Sequence, residues 1–177
     1  GIDVTGSLLE IDIGGRYTAV DVRELRLGVR LPAPHRFMVM DARALAFPDA
    51  SFDLVLCGNM LSFVDEDRAA LAEFKRVLKP GGLALLSVHR EKGPTLSAGE
   101  WSRRHPRLAT PEYLEENGTA WYYGDDYGLR LAGAGLASTD VYPAREPRAS
   151  EHGVKPDTGL TAAAAAPASL TRWLGGE

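Results

Sequence analysis

The chain has one cysteine, Cys57, among 177 residues. A single thiol rules out an intramolecular disulfide and every metal framework built on several cysteines. It also fits a reducing, cytoplasmic setting, which is the expectation here. Histidine is nearly as scarce. His35, His89, His105 and His152 are scattered, with no HxxxH or HxH spacing, so no zinc or iron site is expected. No apolar run reaches the roughly 18 residues that a membrane-spanning helix requires, and no secretory leader pattern precedes the first strand-like segment. Positive charge is not in excess either. The net charge of −4 gives no field for nucleic acid. The short cluster Arg103, Arg104, His105 and Arg107 beside Trp101 reads as a solvated loop.

What remains is 45% hydrophobic and 25% charged, enough for one compact globular domain with a core. The first residue is Gly1, which leads us to expect a processed, trimmed or fragmentary chain.

The best-patterned region runs from Phe37 to His89. "FMVMDA" is a short buried-strand candidate ending in Asp41, and "LVLC" in "SFDLVLCGNM" suits a strand buried on both faces. "DEDRAALAEFKRVLKPGG" follows as a helix. Asp65, Glu66 and Asp67 complement its N-terminus, and Lys75, Arg76 and Lys79 its C-terminus. Ala70, Leu71, Phe74, Val77 and Leu78 form one apolar face. Pro80, Gly81 and Gly82 stop the helix, and "LALLSVH" reads as another buried strand.

Strand, helix, strand with apolar strands on both sides describes an α/β fold with a Rossmann-like, doubly wound, mostly parallel sheet. Ligands bind at the carboxyl ends of the strands in that architecture. The residues to watch are therefore Asp21, Asp41, Ala42, Cys57, Gly58, Asn59, His89 and Arg90.

Beyond Glu91 the pattern dissolves, apart from a helix candidate at "PEYLEEN". "GDDYGLRLAGAGLASTDVYP" then reads as a capped helix ending at Gly133 or Gly135, followed by a strand. Tyr122 and Tyr123 either line a pocket or pack beneath that helix. Residues 1–143 are assigned to the α/β domain. Residues 144–177 are assigned to a polar, Ala-rich, weakly structured tail whose alanine run favours helix until Pro167 interrupts it.

The stretch "MDARALAFPDASFDLVLCGNMLSFVDEDRAALAEFKRVLKPGGLALLSV" resembles the middle of a class I S-adenosylmethionine-dependent methyltransferase. The resemblance covers residues 17 to 90, and "WYYGDDYGLRLAGAGL" extends it toward one methyltransferase-like branch. It implies S-adenosylmethionine as cofactor and a small molecule as methyl acceptor. Asp21 would meet the ribose diol and Asp41 the adenine amino group. Ala42 would lie beside the adenine ring, and Cys57 and Gly58 would place backbone next to the cofactor. Related sequences of this branch carry a histidine and an acidic-His pair where this chain has Asn59 to Phe63. That loop holds no titratable group, which leaves His89 and Asn59 as catalytic candidates. Methyl transfer asks little of a base, because the sulfonium is already activated.

The start of the chain has two registers. If "LLEIDIGG" were the first strand and its loop, only Arg16 would separate the glycines from the next strand. A parallel crossover needs about a dozen residues. In the other register "GIDV" ends the first strand, and "VTGS" forms the cofactor turn through Val4 and Gly6. "SLLEIDI" is then a shortened helix stopped at Gly14 and Gly15. A Gly14–Gly15 hairpin is the remaining reading of that segment. With a single glycine in the turn, a non-catalytic binding or scaffolding protein on the same fold is the alternative to an enzyme.

Overall fold

The computed structural model describes residues 18–21, 36–141 and 160–173. Val4 and Gly6, and with them the expected cofactor turn and shortened first helix, lie outside the described residues.

Two strands, β1 (Thr18–Asp21) and β2 (Arg36–Val39), pair in parallel. The main sheet begins with β3 (Phe52–Gly58), continues through helix α1 (Asp67–Val77), and returns in β4 (Leu78–Ser87) parallel to β3. This is the crossover unit expected from the apolar periodicity. Ala70, Leu71 and Phe74 of α1 have no exposed surface. Fully burying side chains of the size of Leu71 or Phe74 stabilises the fold by about 1.5–3 kcal/mol each.

Helix α1 stops at Val77 because Lys79 precedes Pro80, whose ring disfavours helical backbone before it. The last-turn carbonyls do not go unpaired. Arg76 and Val77 accept the backbone amides of Ala50 and Ser51 at 3.0 and 2.8 Å. Lys79–Gly82 then form an irregularity inside β4, where the register against β3 jumps from Phe52 opposite Leu78 to Leu54 opposite Leu83. Gly82 fits closely there, since a Cβ would stand 3.0 Å from the Lys79 carbonyl oxygen and 3.1 Å from that of Asp53.

After β4 the chain makes a small unit of β5 (Leu96–Ser97), α2 (Ala98–Arg104), α3 (Pro111–Asn117) and β6 (Trp121–Tyr122), with β5 and β6 antiparallel. Helix α2 falls where the sequence pattern dissolves. Its start is nevertheless written in "SAGE", a capping box in which Ser97 and Glu100 satisfy each other's backbone amides. Helix α4 (Tyr127–Gly133) and β7 (Ala137–Val141) follow as expected.

The tail expectation needs correction. Residues 160–173 are packed: β8 (Leu160–Ala164) runs antiparallel between β4 and β7, giving the order β3-β4-β8-β7, and α5 (Pro167–Trp173) follows. Alanine favours helix locally, but the slot between two strands with helices above and below takes small side chains, and tertiary packing overrides propensity. Pro167 does not interrupt a helix; it opens one, in the first turn where its missing amide costs nothing.

Alternation along the central strands sorts the core onto two faces. Ala84, Leu86 and Ala163 pack with α1 and α4, whereas Leu83, Ala162 and Ala164 pack with Leu170 of α5. The architecture is α/β and Rossmann-like, with helices on both faces of a sheet that mixes parallel and antiparallel pairs.

Candidate active site

The carboxyl end of β1 is Asp21, aligned with Val39 of β2, and Asp41 lies two residues beyond that partner. Asp41 starts a tight turn in which its carbonyl accepts the amide of Ala44 at 3.0 Å. Its carboxylate is gripped by Arg43: the Arg43 amide donates to Oδ1 at 2.8 Å, Nη2 to Oδ2 at 2.7 Å, and Nε lies 3.1 and 3.0 Å from the two oxygens. The Arg43 side chain, then its backbone amide, hold the Asp41 carboxyl below its ordinary range. On its other side the same guanidinium reaches Glu66 at 3.4 Å, just ahead of α1. The loop after β2 is thereby tied to the segment that follows the carboxyl end of β3. Ala42, between them in sequence, is buried in the core cluster that holds Leu45, Val55 and Cys57.

At the end of β3 the Cys57 thiol is buried, and burial pushes it up to about 12. It is an inert packing group and not a nucleophile. Gly58 differs in kind: it is exposed, and a Cβ built on it would meet nothing within 4 Å among the described residues. Asn59 follows with φ of 53°, a left-handed backbone that a non-glycine residue adopts at a cost and that clusters at functional sites. Two bonds hold it to Ser87, which ends β4 opposite Gly58. The Asn59 amide donates to the Ser87 carbonyl at 2.8 Å, and Ser87 Oγ donates to Asn59 Oδ1 at 3.3 Å. His89 is exposed two residues further on. The sequence reading missed Ser87, whose only signal is its place at the end of a buried strand.

The wall beside this edge is built by long-range contacts. Ala120 donates its amide to the Ser62 carbonyl at 2.7 Å, and Trp121 Nε1 to the Asp65 carbonyl at 2.9 Å. Tyr123 Oη donates to Asp67 Oδ2 at 2.8 Å, and its ring packs edge-on to Tyr127 at 4.9 Å. Tyr123 therefore packs beneath α4. Tyr122 turns the other way and stacks on Trp101, with centroids 4.3 Å apart and planes within 6°. Arg103, Arg104 and Arg107 are exposed, while His105 is half-buried against Trp101. Among the described residues no group of three or more His, Cys, Asp or Glu is placed to hold a metal ion, and no helix is long and apolar enough to cross a membrane.

Other hallmarks of the sequence are structural. Arg76 donates to the carbonyls of Leu45 and Phe47 and to Asp49, while Glu73 accepts the amide of Leu45 at 2.7 Å. "FPDASFD" is thus clamped onto α1 by "EFKR". Asp125 and Asp126 likewise accept the amides of Gly93 and Thr95 at 2.9 and 2.7 Å.

The parallel pair β1-β2 and the parallel crossover β3-α1-β4, with helices packed on the sheet, are consistent with the fold of class I S-adenosylmethionine-dependent methyltransferases. Residues 4–86 match the family described as methyltransferase domain, and the chain resembles that class. It is similar to malonyl-[acyl-carrier protein] O-methyltransferase of Serratia marcescens, 32% identical over 130 residues, covering 72% of this chain and 42% of that one. It is also similar to demethylmenaquinone methyltransferase of Renibacterium salmoninarum, 34% identical over 123 residues, covering 63% and 52%. The chain thus spans about half the length of these curated relatives. Among solved structures, 1,6-didemethyltoxoflavin-N1-methyltransferase of Burkholderia thailandensis, with S-adenosylhomocysteine bound, shares the fold. Its TM-score is 0.53 at 21% identity, with 85% of this chain and 60% of that one covered.

Proposed function

We propose that the protein is an S-adenosylmethionine-dependent methyltransferase acting on a small-molecule acceptor. The observation that carries this reading is the open space in front of Gly58, at a strand end linked through the Arg43–Glu66 contact to the Asp41 turn. A glycine with no described residue within 4 Å of its missing side chain leaves backbone that a ligand can approach closely.

The residues present fit the cofactor. Asp41 is an ionised acceptor suited to an adenine amino group, and buried Ala42 offers an apolar neighbour to the ring. Asp21 stands at a strand end where a ribose diol needs a carboxylate, and Cys57 and Gly58 contribute backbone. Val4 and Gly6 complete the set in the sequence reading. The cofactor supplies a methyl group already activated on its sulfonium. The chain has then to hold the acceptor in line, with Asn59 and Ser87 as fixed polar groups at the strand ends. His89, exposed past β4, is the candidate general base beside them.

The relatives named above are methyltransferases of malonyl-[acyl-carrier protein] and of demethylmenaquinone, which supports a small organic acceptor here. The buried lone cysteine supports work in a reducing, cytoplasmic setting. The test is calorimetric titration with S-adenosylmethionine and S-adenosylhomocysteine. Binding is expected, and Asp21→Ala should weaken it by roughly 1–3 kcal/mol, the loss of a hydrogen bond to a charged group. No binding at millimolar cofactor overturns the reading, and unchanged affinity in the variant removes Asp21 from the site.

A further inference from the structure

Asp41 would be a poor recognition group if left to itself. It sits on an exposed turn where a carboxylate can rotate, and an acceptor that must be frozen on binding gives back part of its hydrogen bond as lost entropy. The structure removes that freedom. Arg43 closes on Asp41 from both ends of the same turn, its amide on Oδ1 and its guanidinium across both oxygens. The far side of the guanidinium is anchored in turn by Glu66 at 3.4 Å. A carboxylate has about four lone-pair directions. The amide, Nη2 and the shared Nε occupy roughly three of them, leaving acceptor capacity in one fixed orientation.

We propose that Arg43 is a positioning residue for the adenine end of the cofactor site, holding Asp41 as a rigid anionic acceptor that selects a purine bearing a 6-amino group over one bearing a 6-oxo group. This rests on the functional reading above, in which Asp41 faces adenine. The chemistry is a matter of donor and acceptor sign. A 6-amino group donates to the carboxylate, whereas a 6-oxo group presents a second acceptor and is repelled. A freely rotating Asp41 could turn away from the oxo group and lose much of that discrimination. A fixed one cannot.

The test uses S-adenosylhomocysteine and its deaminated analogue S-inosylhomocysteine, which differ in the 6-substituent and in the proton on the adjoining N1, titrated into the wild-type chain, Arg43→Ala and Arg43→Lys. The wild type is expected to favour the adenosyl ligand by at least about tenfold, the discrimination typical of a site that leaves a polar group unpaired with the wrong ligand. Arg43→Ala should weaken the adenosyl ligand by roughly fivefold to tenfold and leave the inosyl ligand within about twofold, so that the ratio collapses. Arg43→Lys keeps the charge without the planar fork and should fall between. A merely structural role would weaken both ligands equally and leave the ratio unchanged, which overturns the proposal. Melting temperatures of the three proteins report folding. If Arg43→Ala does not fold, Arg43→Lys decides by the same ratio. Failure of the wild type to bind either ligand defeats the functional reading and this inference together, whereas binding with an unchanged ratio defeats this inference alone.

Discussion

Arg130 holds Asp67 through two hydrogen bonds, Nε to Oδ2 at 2.5 Å and Nη2 to Oδ1 at 2.9 Å, although the two stand 63 positions apart in the chain. Asp67 is 1% exposed, so its charge exists in the core only because Arg130 and Tyr123 Oη meet it. The Arg130 guanidinium also lies 3.9 Å over the ring of Trp121. One buried carboxylate thus ties the start of α1 to α4 and β6, and so fixes the wall beside the strand ends. Removing one partner of such a pair leaves a charge stranded out of water. Arg130→Met is expected to destabilise the protein by about 3–5 kcal/mol, read as a shifted midpoint in urea unfolding. A loss below about 1 kcal/mol, the range of a surface pair, would show the network to be solvated.

Gly124 should tolerate no side chain. A Cβ there would stand 2.0 Å from the Gly93 carbonyl oxygen and 2.8 Å from the Thr95 amide nitrogen, both backbone atoms. The obstruction is the segment that Asp125 and Asp126 pull in by its amides. Gly124→Ala is expected to cost about 1–3 kcal/mol as overpacking, measured by thermal unfolding. Gly133→Ala, where none of the described residues lies within 4 Å, serves as the comparison. Equal effects at the two positions would show that the close backbone approach at Gly124 carries no cost of its own.

Acid should loosen the clamp between "FPDASFD" and α1. Hydrogen bonds from Arg76, followed by the amide of Leu45, hold the Glu73 carboxyl below its ordinary 4.5. A carboxylate depressed in the folded state stabilises fully above the unfolded value. That contribution is lost as pH falls below 4.5 toward the folded value, because the unfolded chain takes up the proton first. Stability measured by urea unfolding should therefore drop on acidification through this window, and Glu73→Gln should drop less steeply. Parallel slopes in the two proteins would remove Glu73 from the acid response.

Cys57 is expected to be silent toward thiol reagents. It is 1% exposed, with the thiol pushed up to about 12 by burial, and the thiolate is the reactive form. Native protein at pH near 8 should show no fast reaction with an aromatic disulfide reagent and should react fully once denatured. Rapid labelling of the native state would mean that the end of β3 opens readily.

Much of the fold was legible without coordinates. Helical spacing from Ala70 to Val77, acids before α1 and Pro80 after it are local signals, and they placed β3, α1 and β4 within a few residues. The capping box at Ser97 and Glu100 was equally local, and α2 could have been read from it. At the candidate site, the strand-end positions of Asp21, Asp41, Gly58 and Asn59 followed from the order of apolar runs.

Local chemistry by itself determined the crossover unit, because a 3.6-residue period and a proline stop act within a few turns of chain. Only the tertiary structure decided the rest. An alanine run became β8 because the slot between β4 and β7 admits small side chains from both faces. Asp41 acquired a fixed orientation from Arg43 and Glu66, Asn59 was tied to Ser87, and Asp67 found Arg130. Contacts such as Asn59–Ser87 and Asp67–Arg130 join residues 28 and 63 apart, separations at which no sequence period survives and only packing selects the partner.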